Sequence, residues 1–421
     1  MSVAVPAGIE QALRSLRSAA RSLRRMSAEE KRTILVTLAD AIVHASAPII
    51  EANAADLSAL PPEASPAFRD RLRLDERRVE AAVEGMRQAA NLPDPVGEVV
   101  ESRVLANGLR ITRVRAPLGV ILLIFESRPN VILEAFSLAF KSGNAIALRG
   151  GSESKQTSHA IYGVMRETLS RCGVNEAPFY GIDTYDRALV EAVLARNDLI
   201  DIVVPRGGAR LIEFVERTAR MPIIKNDRGL CHTYVDDEAD LAMAVAIVAN
   251  AKIQRPGVCN ALETVLVHRA IAETFLPALH AATAPAKLAW HCDPASARIL
   301  AGRAGVQAAA PEDWDTEYLD LVMNCRVVSD LEEALAHIER HGSKHSEAIV
   351  TGSEARARRF QDEVDAAAVY WNASTRFTDG FELGLGGELG ISTQKLHVRG
   401  PVGLRELTTP RWIIDGEGQI R

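Results

Sequence analysis

The sequence predicts an α/β protein with two domains, each built on a twisted parallel sheet, and a small β-arm. Three observations predict this class. Continuous apolar segments of strand length alternate with amphipathic helical segments from residue 119 onward, a pattern typical of parallel sheets covered by helices on both faces. A chain of 421 residues, 47% hydrophobic and 25% charged, can form two or three domains. Asn107 and Gly108 separate two further strand-like segments, which predicts a hairpin.

Composition excludes several classes of protein. The net charge of −6 and the pI of about 6.0 argue against a nucleic-acid-binding protein. No segment approaches the roughly 18 consecutive apolar residues that a membrane span needs. The five cysteines are widely spaced and form no CxxC pair, so they fit neither a disulfide framework nor a zinc site. We therefore expect a protein of a reducing compartment, the cytoplasm.

Residues 1 to about 95 are predicted to be helical, because apolar residues recur at helical spacing. Residues 13–25 alternate apolar residues and arginines in a basic amphipathic pattern that transit peptides share. The pattern continues into a capping box, from Ser27 to Glu30, and a second amphipathic helix at 31–45. This continuity favours the first helix of a domain over a targeting segment.

Strand and helix segments follow in order along the rest of the chain. Hairpin strands are predicted at 99–104 and 109–114. The first α/β series has predicted strands at 119–125, 145–148, 179–182, 199–204 and 222–224, and helices at 131–141, 154–171, 187–195 and 209–220. The second has predicted strands at 231–235, 264–267, 326–328, 348–350 and 368–371, and helices at 238–250, 270–281, 331–341 and 353–364. Two sheets imply two domains with a cleft between them.

Cys259 is the candidate nucleophile. It lies in a polar, turn-prone segment, with Arg255 shortly before it and a strand-like segment after it. A nearby cation and free loop N–H groups lower the pKa of a thiol, and the resulting thiolate attacks carbonyl groups. Cys231 and Cys325 lie in apolar surroundings that are typical of structural cysteines. The residues alone leave open that Cys259 is also a buried, inert thiol.

Two strand ends could bind the phosphates of a dinucleotide. They carry the segments Arg149-Gly150-Gly151-Ser152 and Arg206-Gly207-Gly208, each ahead of a helix. Glycines let a backbone approach phosphate, and helix N-termini attract anions. The alternative is two tight turns that use glycine for geometry only. The segment 384–390 contains a glycine-rich lookalike, but it is not a strand-to-helix turn, so we reject it.

Arg149 also predicts which coenzyme binds. An acidic residue at such a strand end commonly binds the ribose of NAD, whereas an arginine suits the 2′-phosphate of NADP. This strand end has Arg149, no carboxylate, and Lys155 six residues further on. We therefore predict NADP, although Lys155 fits a solvated helix surface equally well.

Six blocks carry a resemblance to a known family. They are residues 250–263 (NAKIQRPGVCNALE), 117–130 (PLGVILLIFESRPN), 141–151 (KSGNAIALRGG), 201–208 (DIVVPRGG), 370–380 (YWNASTRFTDG) and 328–349. Together they resemble the gamma-glutamyl phosphate reductases, also called glutamate-5-semialdehyde dehydrogenases, a branch of the aldehyde dehydrogenase superfamily. The resemblance runs from about the first helix to the C-terminus, and the block at 328–349 is the stretch most peculiar to this branch.

The resemblance implies a fold, a reaction and site residues. The fold would be aldehyde dehydrogenase-like, with an NADP-binding domain at 1–232 that includes a hairpin arm at 98–116, a catalytic domain at 233–392, and an oligomerisation segment at 393–421. The reaction would be the NADPH-dependent reduction of L-glutamate 5-phosphate through a thioester on Cys259. Asn130 would donate to the oxyanion together with the N–H of Cys259, although its position equally suits an N-cap of the next helix. Substrate-binding side chains would include those of Arg128, Arg255, Asn260 and Arg376, with Ser374 and Thr375 completing the polar lining.

The segment 223–229 corresponds to the place where hydrolytic aldehyde dehydrogenases carry a water-activating glutamate. It contains no glutamate, which favours phosphate over water as the acyl acceptor. Asp227 could substitute and keeps the hydrolytic alternative open. A third possibility, a non-catalytic scaffold, would be expected to have lost the nucleophile.

Partners follow from the same resemblance. We expect a small-molecule substrate, a homo-oligomer, and neither nucleic acid nor membrane. No amino-acid kinase segment precedes the reductase, so we expect a monofunctional enzyme whose acyl phosphate comes from a separate glutamate 5-kinase. His337, His341 and His345 recur at helical spacing and could line up as metal ligands. Gly342 and Ser343 should end the helix between them, so we predict no metal.

Overall fold

The computed structural model describes residues 5–126, 128–174, 177–225 and 228–421. The chain forms two compact units. Of the described residues, the first contains those up to 225 together with 384–390 and 402–421, and the second contains 228–383 and 391–401. The stretch 393–421, predicted as one oligomerisation segment, thus contributes to both units.

The first unit begins with five helices. They are α1 (Ala7–Leu23), α2 (Ala28–His44), α3 (Ser46–Ser58), α4 (Pro66–Leu72) and α5 (Glu76–Asn91). Helix α1 buries its leucines, and its Arg17 pairs with Asp201 at 2.7 Å, so this basic segment packs as a domain helix. The capping box is confirmed: Glu30 donates its N–H to Ser27 at 3.2 Å, and the Glu30 carboxylate accepts the N–H of Ser27 at 2.7 Å.

An antiparallel sheet forms the predicted hairpin arm. Its strands are β1 (Val99–Val104) and β2 (Arg110–Pro117), joined at the end of the chain by β16 (Thr408–Asp415). β2 lies in the middle and pairs with β16 over its full length, from Arg110 opposite Asp415 to Pro117 opposite Thr408. Both edge strands expose large apolar side chains, among them Val104 and Ile414.

The main sheet of the first unit is parallel. In chain order its elements are β3 (Val120–Phe125), α6 (Val131–Lys141), β4 (Ala145–Arg149), α7 (Lys155–Arg171), β5 (Phe179–Gly181), α8 (Arg187–Leu194), β6 (Ile202–Arg206) and α9 (Ala209–Thr218). The strand order is β5-β4-β3-β6. All six residues of β3 are buried, as expected for a central strand covered on both faces.

The second unit contains a seven-stranded parallel sheet of order β10-β9-β11-β8-β7-β12-β13. Its elements are β7 (Cys231–Val235), α10 (Leu241–Ile253), β8 (Leu262–His268), α11 (Arg269–Thr283), β9 (Ala289–Cys292), α12 (Pro294–Ile299), β10 (Val306–Ala308), β11 (Val322–Val328), α13 (Leu331–His341), β12 (Ser346–Val350), α14 (Glu354–Glu363) and β13 (Ala368–Trp371). A two-stranded ladder, β14 (Ile391–Ser392) with β15 (Gly400–Pro401), completes it.

The structure confirms the α/β class and corrects several elements. The predicted strand at 222–224 is wrong: this segment makes a single bridge, from Ile223 to Val203, and Pro222 has no N–H to extend the ladder. The elements β9, α12 and β10 were not predicted, because three to six residues give too short a pattern to recognise. Helix α13 ends at His341 with Gly342 as its C-cap, as predicted, so His345 lies beyond the helix.

Within the described residues, no single helix is long and apolar enough to cross a membrane, although the bent pair α2 and α3 together meets the criteria of length and composition.

Candidate active site

Cys259 lies in the turn that joins α10 to β8. Helix α10 ends at Ile253 and β8 begins at Leu262, so the cysteine is held between a helix end and a central strand. The side chain is half-buried and forms no disulfide. A half-buried thiol in a turn is accessible to a substrate, in contrast to a cysteine inside a strand.

Gly229 fixes the backbone of this turn from the other side. A Cβ atom at position 229 would lie 1.6 Å from the carbonyl oxygen of Cys259 and 2.8 Å from its Cα. Both contacts involve backbone atoms, which cannot move aside as a flexible side chain could. Only glycine therefore fits beside Cys259 at this position.

Cys231 supports the same peptide. Its thiol donates to the carbonyl oxygen of Cys259 at 3.3 Å. Burial raises the pKa of Cys231 well above the usual value for a thiol, and the charges of Glu347, Cys259 and Glu263 act in the same direction. Cys231 therefore stays protonated at neutral pH, and it serves as a donor rather than as a second nucleophile.

A buried hydrogen-bond network continues from Cys231. The Nδ1 atom of His345 lies 3.8 Å from the Cys231 sulfur and 2.8 Å from the Ser346 hydroxyl. The Thr378 hydroxyl lies 2.6 Å from that of Ser346 and 2.8 Å from that of Tyr370. Burial lowers the pKa of His345 to about 4, so the imidazole is neutral. The network joins the nucleophile turn to β12, β13 and the segment that follows β13.

Asn260 is tied to that last segment. Its amide nitrogen donates to the carbonyls of Thr378 and Arg376, at 2.8 and 3.3 Å, and the Thr375 hydroxyl donates to the carbonyl of Asn260 at 2.8 Å. The amide oxygen of Asn260 is buried and has no hydrogen-bond partner in the described part of the chain. Asn260 can therefore offer a substrate only an acceptor, which suits an ammonium group.

The structure brings two predicted arginines near the nucleophile. Burial lowers the pKa of Arg376 and the charge of Arg255 lowers it further, whereas the charges of Asp379 and Cys259 raise it. Arg376 is oriented by Gln254, which accepts from its Nε at 3.0 Å. The cluster of Arg255, Arg376 and Cys259 provides positive charge beside a thiol, a combination suited to anionic substrates.

Asn130 and Arg128 belong to the first unit. Asn130 lies at the N-cap position of α6, but its side chain makes no capping hydrogen bond. Its backbone carbonyl instead accepts from the N–H groups of Leu133 and Glu134. The alternative that the Asn130 side chain is the N-cap of this helix is therefore wrong.

A buried ion pair underlies the nucleophile segment and was not predicted. Lys252 at the end of α10 donates to Glu263 on β8 at 2.8 Å, and both side chains are at most 1% exposed. Burial raises the pKa of Glu263 to about 7 and lowers that of Lys252, while each partner opposes the shift of the other. The sequence contained a signal, since both charges lie in an otherwise apolar helix and strand that flank Cys259.

The carboxyl edge of the first unit's parallel sheet carries the predicted coenzyme residues. Arg149 ends β4 and Gly150, Gly151 and Ser152 lead into α7. A Cβ atom on Gly150 would lie 3.0 Å from the ring of Phe125, so this glycine permits close packing of the turn on β3. Because Gly150 has no side chain, a ligand can also approach its backbone closely.

Three cationic or ionisable side chains surround Tyr185 and Asp183 at this edge. The guanidinium of Arg149 and the ammonium of Lys155 lie 5.6 and 5.9 Å from the centre of the Tyr185 ring. Asp183 lies 3.7 Å from Lys155 and 3.3 Å from His159. Burial lowers the pKa of Arg149, against the charges of Tyr185, Glu153 and Glu126. Sequence reasoning missed Asp183 and Tyr185, although both lie within four residues of the end of β5.

The second predicted turn follows β6. Arg206 ends the strand, Gly207 and Gly208 precede α9, and Arg206 contacts Glu134 at 3.5 Å. The contact is an ion pair only, since Nη1 of Arg206 makes no hydrogen bond among the described residues. The N–H of Gly208 donates to Glu126 at 3.0 Å. Each turn offers N–H groups at a helix start and glycines that let a ligand approach the backbone. Both turns are therefore suitable for binding the phosphates of a dinucleotide.

Residues 226 and 227 lie outside the described residues, so the structure does not place Asp227, the possible water-activating carboxylate. Neighbouring Lys225 pairs with Glu216 at 2.9 Å, and Arg228 donates to the carbonyl of Asp315 at 2.9 Å. Both cations are therefore engaged at the ends of this segment.

Comparison with known proteins identifies the family. The model of the aldehyde dehydrogenase family matches residues 1–297. The chain belongs to the aldehyde dehydrogenase family. It is 49% identical to the gamma-glutamyl phosphate reductase of Moorella thermoacetica, covering 96% of each chain, and 45% identical to that of Escherichia coli, covering 98% of this chain and 100% of the other. The crystal structure of gamma-glutamyl phosphate reductase from Thermotoga maritima superposes with a TM-score of 0.94 at 42% identity, covering 98% of this chain and 99% of the other.

These relatives confirm the resemblance to the gamma-glutamyl phosphate reductase branch, and the aldehyde dehydrogenase-like fold with it. Membership of the aldehyde dehydrogenase family also establishes an oxidoreductase that uses a nicotinamide coenzyme.

Proposed function

We propose that this protein reduces L-glutamate 5-phosphate to L-glutamate 5-semialdehyde and phosphate, with NADPH as reductant, in the cytoplasmic synthesis of proline from glutamate. The observation that carries the proposal is the construction around Cys259: a half-buried thiol on a turn fixed by Gly229 and Cys231, beside Arg255 and Arg376. The identity of 45–49% to gamma-glutamyl phosphate reductases over 96–98% of the chain supports the choice of substrate.

The reaction begins at the Cys259 sulfur. The thiolate forms a bond to the acyl carbon, the bond from that carbon to the phosphate oxygen breaks, and phosphate leaves with the electron pair. A thioester remains on Cys259. The nicotinamide coenzyme, when bound, supplies a hydride to the acyl carbon. The resulting tetrahedral alkoxide then collapses: its carbon–oxygen bond becomes double, the carbon–sulfur bond breaks, and the aldehyde leaves while the thiolate of Cys259 is regenerated.

The chain's own residues have three tasks in this scheme. The N–H of Cys259 and the side-chain amide of Asn130 donate to the oxyanion. The guanidinium groups of Arg128, Arg255 and Arg376 bind the phosphate and the α-carboxylate. The unpartnered oxygen of Asn260 accepts from the α-ammonium group, a role consistent with its amide nitrogen being used by backbone carbonyls.

The coenzyme residues are Arg149, Gly150, Gly151 and Ser152 on one turn and Arg206, Gly207 and Gly208 on the other. Arg149 binds the 2′-phosphate of NADP and thereby favours NADP over NAD. No metal is involved. The protein assembles as a homo-oligomer through its arm, where the edge strand β16 exposes Trp412, Ile413 and Ile414, and a separate glutamate 5-kinase supplies the labile acyl phosphate.

One assay tests this function against hydrolysis. Reduction of NADP with glutamate semialdehyde is followed with and without phosphate. We expect turnover only with phosphate, because residues 223–229 include no glutamate to activate water. Equal turnover in both buffers would assign the protein to the hydrolytic aldehyde dehydrogenases.

A further inference from the structure

The carboxylate of Glu126 contacts the turn between β6 and α9. Glu126 directly follows β3, the strand beside β6 in the sheet. Its N–H donates to the carbonyl of Arg206 at 3.1 Å, so the two strand ends are joined through their main chains. Its Oε2 atom accepts the N–H of Gly208 at 3.0 Å. Glu126 therefore caps helix α9 from a neighbouring strand, whereas most helix caps come from the residue just before the helix.

The two glycines of this turn have different surroundings. A Cβ atom on Gly207 would lie 2.4 Å from Oε2 of Glu126, whereas a Cβ atom on Gly208 would have no heavy atom within 4 Å. Gly207 thus makes room for the Glu126 carboxylate, and the backbone at Gly208 is open. The N–H groups and the dipole at a helix start favour one anion at this position.

We propose that, when no coenzyme is bound, the Glu126 carboxylate takes the place of a coenzyme phosphate at the β6–α9 turn, and that it must swing away before the dinucleotide binds. This inference rests on the proposed function, which assigns the coenzyme to this edge of the sheet. It goes further, because it gives a residue of the chain the role of a competitor for the coenzyme.

The displacement requires only a side-chain rotation. The backbone of Glu126 is held by Arg206, while its side chain is exposed. Because the side chain is exposed, the freed carboxylate can turn into solvent. The coenzyme binds only when the hydrogen bond between Glu126 and the N–H of Gly208 is broken. The free energy needed to break it reduces the free energy of coenzyme binding. The carboxylate therefore weakens coenzyme binding and speeds release of the spent coenzyme.

The test compares the affinities of three variants by calorimetric titration. Glu126→Ala removes the cap and the charge, and Glu126→Gln keeps an oxygen acceptor without the charge. Asp75→Ala is the matched control, because Asp75 also caps a helix of the first unit, α5, by accepting an N–H at 3.0 Å. The probes are NADP and adenosine 2′-monophosphate, which lacks the phosphates at the 5′ position.

We expect Glu126→Ala to bind NADP roughly two- to thirtyfold more tightly than the unsubstituted protein, the range that corresponds to loss of one helix cap. Glu126→Gln should gain less, and Asp75→Ala should gain nothing. Adenosine 2′-monophosphate does not reach the turn and senses only the charge of Glu126, which acts on Arg149, so it should gain less than NADP in Glu126→Ala and by the same factor in both Glu126 variants.

Three results would overturn the inference. Unchanged or weaker NADP binding by Glu126→Ala would mean that the carboxylate is not in the way, or that it contacts the coenzyme. Equal gains in the Ala and Gln variants, or equal gains with both nucleotides, would mean that charge alone acts. Failure of the proposed function would be seen separately, as phosphate-independent turnover of the unsubstituted protein.

Discussion

Two regions are built in opposite ways. One is the turn between α10 and β8 that carries Cys259, the proposed nucleophile turn of the second unit. The other is the carboxyl edge of the parallel sheet around Arg149, the proposed coenzyme edge of the first unit. Around Cys259 the supporting side chains of Cys231, His345 and Thr378 are fully buried and joined by hydrogen bonds. At the coenzyme edge Lys155 is 49% exposed and Asp183 43%. A reacting sulfur must be placed within a fraction of an ångström, whereas charges that attract a nucleotide act over longer distances. Substitutions should therefore affect chemistry at the turn and affinity at the edge.

The largest effect is expected from Cys259, the proposed nucleophile. Cys259→Ala or Cys259→Ser should abolish reduction and leave NADP binding nearly intact, because the thiolate is needed only for the covalent step. Cys172→Ala, which removes the other half-buried thiol, should retain activity. Steady-state rates and NADP titrations measure both outcomes. Substantial turnover by Cys259→Ala would remove the thioester from the mechanism.

The next largest effect tests how tightly the turn is fixed. Gly229→Ala would place a methyl group 1.6 Å from the Cys259 carbonyl oxygen, so the nucleophile must move. A displacement of about 1 Å can cost on the order of a hundredfold in rate, and we expect kcat to fall by that order without a change in NADP affinity. Gly257→Ala, whose new Cβ would meet its nearest atom at 3.6 Å, is the matched control. Similar rates for the two variants would show that the turn tolerates displacement.

Buried histidine gives the second unit a dependence on acid that the exposed edge lacks. Burial lowers the pKa of His345 from 6.5 to about 4, so the unfolded chain binds this proton more readily than the fold does. Burial of neutral His345 therefore costs no stability above pH 6.5. The free energy of unfolding decreases as the pH falls from 6.5 through 4. At pH 5 the loss is about 2 kcal/mol.

Urea unfolding of the unsubstituted protein and His345→Gln at pH 7 and pH 5 measures this loss. The variant should be less stable at pH 7 but should depend less on pH. The control is His159→Gln at the coenzyme edge, whose side chain is 50% exposed, and it should keep the pH dependence of the unsubstituted protein. An unaltered slope in His345→Gln would assign the acid sensitivity to other groups.

The smallest effect is expected at the coenzyme edge. Arg149→Ala should weaken NADPH binding more than NADH binding, because it removes the proposed partner of the 2′-phosphate. A charge-assisted contact contributes about 1.5–3 kcal/mol, so the preference should fall roughly tenfold or more. Lys155→Ala is a useful comparison, because Lys155 lies beside the same Tyr185 ring. Equal losses of both coenzymes in Arg149→Ala would exclude this arginine as the discriminating residue.

The features that could be predicted from the sequence are those that are continuous in the chain. Periodicity located most strands and helices, with α6, α13 and β13 correct to the residue, because buried parallel strands and amphipathic helices leave strong local patterns. The motif around Cys259 and the glycine turns were likewise visible, since each is continuous in the chain.

Contacts between distant segments were not predictable. Gly229 approaches Cys259 from thirty positions away, Glu126 caps a helix that begins at Ala209, and Lys252 meets Glu263 across a turn. A single sequence gives no register between such segments, so the contacts that support Cys259 and the contact of Glu126 with the β6–α9 turn emerge only from the fold. The amide of Asn260 was predicted to bind substrate, yet its nitrogen serves the backbone of residues 376 and 378.

The most direct test of the central claim is a rapid-mixing experiment without phosphate. Enzyme is mixed with glutamate semialdehyde and NADP, and NADPH formation is followed over the first turnover and beyond. We predict one burst, stoichiometric with Cys259, then a slow phase in which the thioester waits for an acceptor. Phosphate, or arsenate in its place, should restore steady turnover. Free glutamate that accumulates at an undiminished rate in phosphate-free buffer would contradict the account, because water would then be the acceptor.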